Sequence, residues 1–194
     1  MSTDTFLSIC VGVGLATACG LRVFIPLLVV SIASHFHHLQ LGLGFLWLGS
    51  TPAVVAFSIA AGLEIVGYYI PWIDHALDVL ATPSAMIAGT IVSVALMTNM
   101  DPFYKWALGI IAGGGMAGLV QGTTVVARGA STATTGGLAN PLFATLELLG
   151  SILVSVLAVV VPVLVVLVVA VAFFFIARWL LRRRPRVAVT TGAS

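Results

Sequence analysis

Two glutamates stand where a carboxylate is hard to accommodate. Glu64 lies in the apolar run 51–70, and Glu147 lies in the apolar run that opens at Asn140. Each falls near the middle third of its run. An ionised carboxylate in such surroundings must pair with a cation, reach water or take up a proton. The chemistry this suits is reversible protonation, or the holding of a cation, at two related positions. The plainer alternative is a carboxyl that packs helices together, protonated or bonded to nearby backbone. Arg22 is the third charge inside an apolar run, with Gly20 before it and Pro26 after it. Glycine and proline weaken a helix on either side of the arginine, and broken helices in membranes line cavities. A guanidinium there could neutralise Glu64 or bind an anionic solute, or it could snorkel to the membrane interface.

Two other groups could do chemistry. Asp74-His75-x-x-Asp78 places two carboxylates one helical turn apart, with a histidine between them. Together they could hold a divalent cation, or form a solvated interfacial face. His35, His37 and His38 lie in a polar stretch that lacks the cysteine or carboxylate neighbours a zinc site would want. Cys10 and Cys19 fall nine residues apart in one apolar run. On one helix they would be separated by roughly 13 Å, too far to form a disulfide. No phosphate-binding, zinc-protease, serine-hydrolase or dinucleotide fingerprint occurs in usable context, so no cofactor is implied.

The elements that must position these residues are set by composition. Of the 194 residues, 60% are hydrophobic and 7% charged. Soluble domains carry about 25% charged residues, so the solvent this chain suits is lipid. The net charge is +2, and five of the eight basic residues fall between Arg178 and Arg186. No basic patch interleaved with aromatics occurs elsewhere, which argues against nucleic acid as a partner.

A membrane-spanning helix needs about 20 mostly apolar residues. The chain supplies a first span from Thr5 to Ile32 and a second from Thr51 to Ile70. A short interfacial element covers Trp72 to Thr82, and a third span opens at Pro83 and ends near Asn99. A fourth span, anchored by Tyr104 and Trp106, ends near Ala127. A Gly/Ser/Thr loop then covers Arg128 to Asn140. The stretch from Asn140 to Leu181 would be roughly 63 Å long as one helix, so two helices with a turn between Ser155 and Pro162 are expected. The expected fold is a single integral membrane domain over residues 1–194, an all-α bundle of six helices with a basic tail at 182–194. The Arg182-Arg183-Arg184 run predicts a cytoplasmic C-terminus. Six spans then put the N-terminus on the cytoplasmic side and the histidine loop outside.

The two halves resemble each other. Ala61-Gly62-Leu63-Glu64-Ile65-Val66-Gly67 matches Ala144-Thr145-Leu146-Glu147-Leu148-Leu149-Gly150. Leu7, Ile9, Gly12, Gly14 and Ala16 match Leu108, Ile110, Gly113, Gly115 and Ala117. The halves, about 5–99 and 103–181, read as two inverted three-helix repeats with a site where they meet. Thr123 would occupy the position of Arg22 in the second half. The glycines of the first and fourth helices predict close packing between those helices, with homodimerisation as the alternative use.

Gly20-Leu21-Arg22 with Pro26, then Leu63-Glu64 with Asp74 and Asp78, resembles a family of small bacterial membrane proteins classed as domain of unknown function 4126. The resemblance spans about Phe6 to Val160. It implies a bacterial cytoplasmic membrane protein and no particular activity. The functional expectation comes from the charges. It is a small transporter or channel-like protein for an unknown solute or ion, with Glu64, Glu147 and Arg22 lining a midplane site coupled to protons. The alternatives are a membrane enzyme acting on lipid head groups through Asp74, His75 and Asp78, or a non-catalytic accessory subunit. A cavity reaching both glutamates would mark the first. A metal-holding groove would mark the second, and a dry interior the third.

Overall fold

The computed structural model describes residues 3–182. They form helices α1 (Thr3–Cys19), α2 (Phe24–His35), α3 (Thr51–Gly67), α4 (Pro71–Leu96), α5 (Pro102–Leu108), α6 (Gly115–Thr135), α7 (Asn140–Val160) and α8 (Pro162–Arg182). A 3-10 turn over Leu43–Gly49 precedes α3, and a π-helical segment over Gly109–Gly114 joins α5 to α6. The segments Ala76–Leu96, Pro102–Thr135 and Asn140–Val160 are long and apolar enough to cross a membrane. The 3-10 turn and α3, bent by 62° at their junction, would make a fourth crossing if counted as one span.

α1 is the central helix. Its residues from Cys10 to Cys19 are buried almost without interruption, and α4, α6, α7 and α8 pack around it. Small side chains allow this. A Cβ on Gly12 would lie 3.1 Å from the Ser93 backbone, and one on Gly14 would lie 2.9 Å from Ala158. A Cβ on Gly20 would lie 2.5 Å from the Ala117 carbonyl oxygen. The glycine-mediated approach of α1 to α6 is therefore present at Gly20. Gly113, Gly114 and Gly118, however, turn to α4, against Ser93, Thr90 and Met86.

The expected first span is broken. The chain leaves helical geometry between Gly20 and Val23, and α2 folds back. Asp4, at the start of α1, lines the same cavity as Leu39 and Gln40, which follow α2, and Thr98 and Asn99, which follow α4. A straight helix from Thr5 to Ile32 would instead separate its ends by roughly 40 Å. α1 also stops inside the bundle. Its Ala16 faces Gly89, whereas α4 runs on from Gly89 to Pro71, roughly 27 Å farther. Pro26 sits in the first turn of α2, where its missing N–H leaves no bond unmade.

Other boundaries move for equally local reasons. Pro71 opens α4 at a favoured first position, and the expected interfacial element over 72–82 is part of that helix. Pro83 therefore lies inside α4 instead of starting it. The expected loop from Arg128 is helical to Thr135. There the hydroxyls of Thr134 and Thr135 donate to the carbonyls of Ala130 and Ser131, so side chains that often leave a helix are satisfied within it. The chain turns at Gly136 and Gly137, with φ of 64° and 86°. The last apolar stretch does divide, at Val161. That residue, which precedes Pro162, leaves the helical region (φ −137°, ψ 67°).

The inverted six-helix repeat does not describe this arrangement. Ser93 and Gly89 of α4 meet Gly12 and Ala16 of α1, so those helices are antiparallel. Val94 and Met86 of α4 meet Gly109 and Gly118, so α4 is antiparallel to the α5–α6 rod as well. α1 and the α5–α6 rod therefore run the same way, and both halves start from the same end of the molecule. The Glu-bearing helices do run oppositely. α3 lies antiparallel to α2 through Gly49–Ser34 and Glu64–Val23, and α7 lies antiparallel to α1 through Ser151–Ala18 and Ala158–Gly14. The expected opposition of the N-terminus and the histidine loop is likewise replaced by their placement at one end. The tail from residue 183 lies outside the described residues.

Two outcomes are expected. With Cys10 and Cys19 changed to alanine, Asp4→Cys and Gln40→Cys should react with a membrane-impermeant maleimide from the same side. Labelling from opposite sides would restore the straight first span. Gly20→Leu should lower the midpoint of thermal unfolding in detergent, with a cost of about 1–3 kcal/mol for overpacking against Ala117 and Val120.

Candidate functional site

The broken helix creates the site. Ending α1 and starting α2 inside the bundle exposes the first backbone N–H groups of α2, which have no intrahelical partners. Val23 N–H donates to Glu64 Oε1 at 2.9 Å, and Phe24 N–H donates to Glu64 Oε2 at 3.0 Å. The positive end of the α2 dipole reinforces both bonds. Glu64 is thus a capping carboxylate supplied by a different helix. Its position one turn before the end of α3 brings it there, because α3 returns alongside α2.

The same break aims Arg22 the other way. Its Nη2 donates to the carbonyl of Ala144 at 2.8 Å and lies 3.8 Å from Glu147 Oε2. Glu147 in turn receives both forks of Arg128. Nε donates to Oε1 at 2.9 Å, and Nη2 donates to Oε2. Arg128 Nη1 reaches Asp78 Oδ1 at 3.5 Å. The ring of Tyr68 underlies both arginines, with the Arg22 guanidinium 3.7 Å and that of Arg128 4.4 Å from its centroid. Arg22, Arg128, Glu64 and Glu147 are 2%, 3%, 7% and 7% exposed, so the charges are sealed among helices. Arg22 Nε and Nη1 donate to no partner among the described residues. They are the buried donors that the cluster leaves over.

Of the residues singled out by sequence, Glu64, Glu147 and Arg22 do converge. Their pairing differs from the expected one, since Arg22 bonds to the α7 side and Glu64 is held by backbone. Asp78 joins them through Arg128. The side chains of Asp74 and His75 lie outside the described residues. Among the described residues no three of His, Cys, Asp and Glu are grouped to hold a metal ion. His35 lies apart from the cluster, with Nδ1 3.0 Å from the carbonyl oxygen of Gly49. Thr123, the expected counterpart of Arg22, is exposed and donates to its own helix at Leu119. Arg128 and Tyr68 were missed. Sequence alone puts Arg128 in a loop, because small and hydroxylated residues surround it. Its isolation between Ala127 and Gly129 was the available signal, since a guanidinium flanked by small residues fits a close helix contact.

A cavity of about 510 Å³ lies beside the cluster, between the start of α2, α3 and α4. Glu64, Tyr68 and Ser84 are the polar side chains of its lining. Phe24, Leu63, Val66, Ile73, Leu77 and Leu80 are among its apolar lining. The cavity reaches Glu64 and does not include Glu147 among its lining.

Fold and site together define an all-helical protein with several helices long and apolar enough to cross a membrane, a broken helix pair α1–α2 and a buried network of carboxylates and guanidiniums. Residues 9–183 match the family described as Domain of unknown function (DUF4126), and the chain belongs to that family. The match runs beyond Val160 through α8, so the Val-rich helix is part of the shared unit. No curated protein and no solved structure matches the chain.

The Arg128–Glu147 pair generates a sharp stability expectation. Arg128→Ala or Glu147→Ala alone strands a buried charge and should cost about 3–5 kcal/mol. Arg128→Met with Glu147→Leu should recover only part of that loss, because Arg22 loses its anion as well. Equal and additive losses in a double-mutant cycle, read by thermal unfolding in detergent, would show that the pair is not coupled.

Proposed function

We propose that this protein is a small, proton-coupled transporter of the bacterial cytoplasmic membrane, with its site at the broken helix. The observation that carries this reading is the double position of Glu64. Its carboxylate caps the N-terminus of α2 and also forms part of the wall of the 510 Å³ cavity. Protonating it would weaken two bonds that hold the start of α2 in place. Proton uptake and the geometry of the break are thereby linked through a single side chain. Glu147, held by Arg22 and Arg128, is the second carboxylate of the cycle, and Arg22 connects the two. The basic C-terminal run assigns the tail to the cytoplasmic side under the positive-inside rule.

The accessory-subunit reading draws on one observation, the two-pronged bond between Arg128 and Glu147, which suits a static brace. The transporter reading explains more, because a brace has no need of a cavity at Glu64 or of arginine donors left over at Arg22.

Purified protein in liposomes, with a valinomycin-set potassium diffusion potential and pyranine inside, should admit protons. Glu64→Gln and Glu147→Gln should each reduce the initial rate at least tenfold while the far-ultraviolet circular dichroism is unchanged. Rates in both variants equal to that of the unmutated protein would remove the carboxylates from any transport role and leave the brace.

A further inference from the structure

We infer that the cavity beside Glu64 is a binding site for a lipophilic cation that reaches it sideways from the membrane; this rests on the proposed transporter reading and names its substrate class. Three features of the cavity carry the argument.

The first is where it opens. α3 packs on α2, α4 packs on α1 and the π segment, and α3 and α4 meet chiefly near their shared turn, where Gly67 abuts Leu77 and Ile73. Above that turn they diverge. The residues on the diverging edges, Leu63, Val66, Ile73 and Leu80, line the cavity and are also 69%, 58%, 42% and 62% exposed. A mouth edged by large exposed aliphatic side chains, on helices apolar enough for a bilayer, faces lipid tails.

The second is its size and wall. About 510 Å³ falls within the roughly 300–1,000 Å³ of small-molecule sites. The wall is almost entirely aliphatic, with Phe24 and Tyr68 as its aromatics. A polar solute would lose its hydration there without replacement. A bulky apolar one would not.

The third is charge. Glu64 is the acidic residue of that wall, and neither Arg22 nor Arg128 lines it. Each Glu64 oxygen accepts one bond from α2 backbone. A carboxylate oxygen has two lone pairs, so each retains capacity toward the cavity. Phe24, also in the lining, adds an aromatic surface attractive to a cation. An anion would meet a carboxylate as the charged group of the lining. The geometry therefore selects for positive charge spread over an apolar body, and protonation of Glu64 would release it.

Tetraphenylphosphonium is the probe, titrated into purified protein in nanodiscs and read by equilibrium dialysis against empty nanodiscs. Saturable binding is expected, weakened at least tenfold by Glu64→Gln and by Ala60→Phe, which fills the cavity from α3. Tetraphenylborate, of the same shape and opposite charge, should show no saturable binding. Thermal unfolding midpoints within a few degrees of the unmutated protein would establish that both variants fold; should Glu64→Gln fail to, Ala60→Phe and the borate comparison decide. Absence of saturable phosphonium binding, or equal binding of the borate, overturns the inference. Proton flux that depends on Glu64 without phosphonium binding would retain the transporter and discard this substrate class. Binding that depends on Glu64 without proton flux would do the reverse.

Discussion

A helix that ends inside a membrane protein must hand its unpaired backbone groups to something, and in this molecule that constraint organises everything else. The break at Gly20–Val23 exposes the N-terminus of α2 within the bundle, where water is not at hand to satisfy it. Glu64 does so from α3. To deliver that carboxylate, α3 must run back along α2, and the Tyr68–Ile70 turn must then start α4 at Pro71. α4 in turn must be long, because it has to pass the end of α1 before it can pack along it. The unequal lengths of α1, α2 and α4 are consequences of one unfinished helix.

The charges follow from the same break. Glu64 turns toward backbone, so Arg22 from the adjacent position is left to find another anion, and Glu147 on α7 supplies it. One carboxylate cannot satisfy one guanidinium completely in a dry interior. The close two-pronged pairing of Glu147 is with Arg128, whose Nη1 also reaches Asp78. Buried ion pairs of this kind stabilise poorly for their cost.

The apolar class of the chain, the existence of an irregularity near Arg22 and the identities of Glu64, Glu147 and Arg22 were all legible in the residues. Composition and isolated charges carry that information locally. What was not legible was how the segments lie relative to one another. Gly20 and Pro26 flag a weak helix, but whether the chain continues or doubles back depends on Glu64 being available to cap the new start, a contact 41 residues distant. Likewise, Gly, Ser and Thr after Arg128 read as a loop, because glycine favours turns and the Ser and Thr hydroxyls can bond either to water or to their own helix. Only the packing of α6 on α4 decides between them. The matching segments around Glu64 and Glu147 do lie on oppositely directed helices. The parallel course of α1 and α5–α6 shows that local likeness of sequence did not extend to a symmetry of the whole.

The network joins five helices through side chains that can change charge or partner. α2 is attached through backbone to Glu64 on α3, Arg22 beside it reaches α7, and Glu147 connects α7 to α6, from which Arg128 reaches α4. Neutralising Glu64 would loosen the start of α2, and Arg22 lies immediately beside that start. A shift of Arg22 would in turn alter the surroundings of Glu147 about one residue's length away, without any further element having to move. Coupling of this sort needs no long pathway, because the two carboxylates are separated by a single arginine on an unwound stretch of chain. A bundle of uninterrupted helices would have held the same charges rigidly apart. The broken helix places an adjustable piece of backbone between them, and that is the physical basis for reading the site as one that changes state.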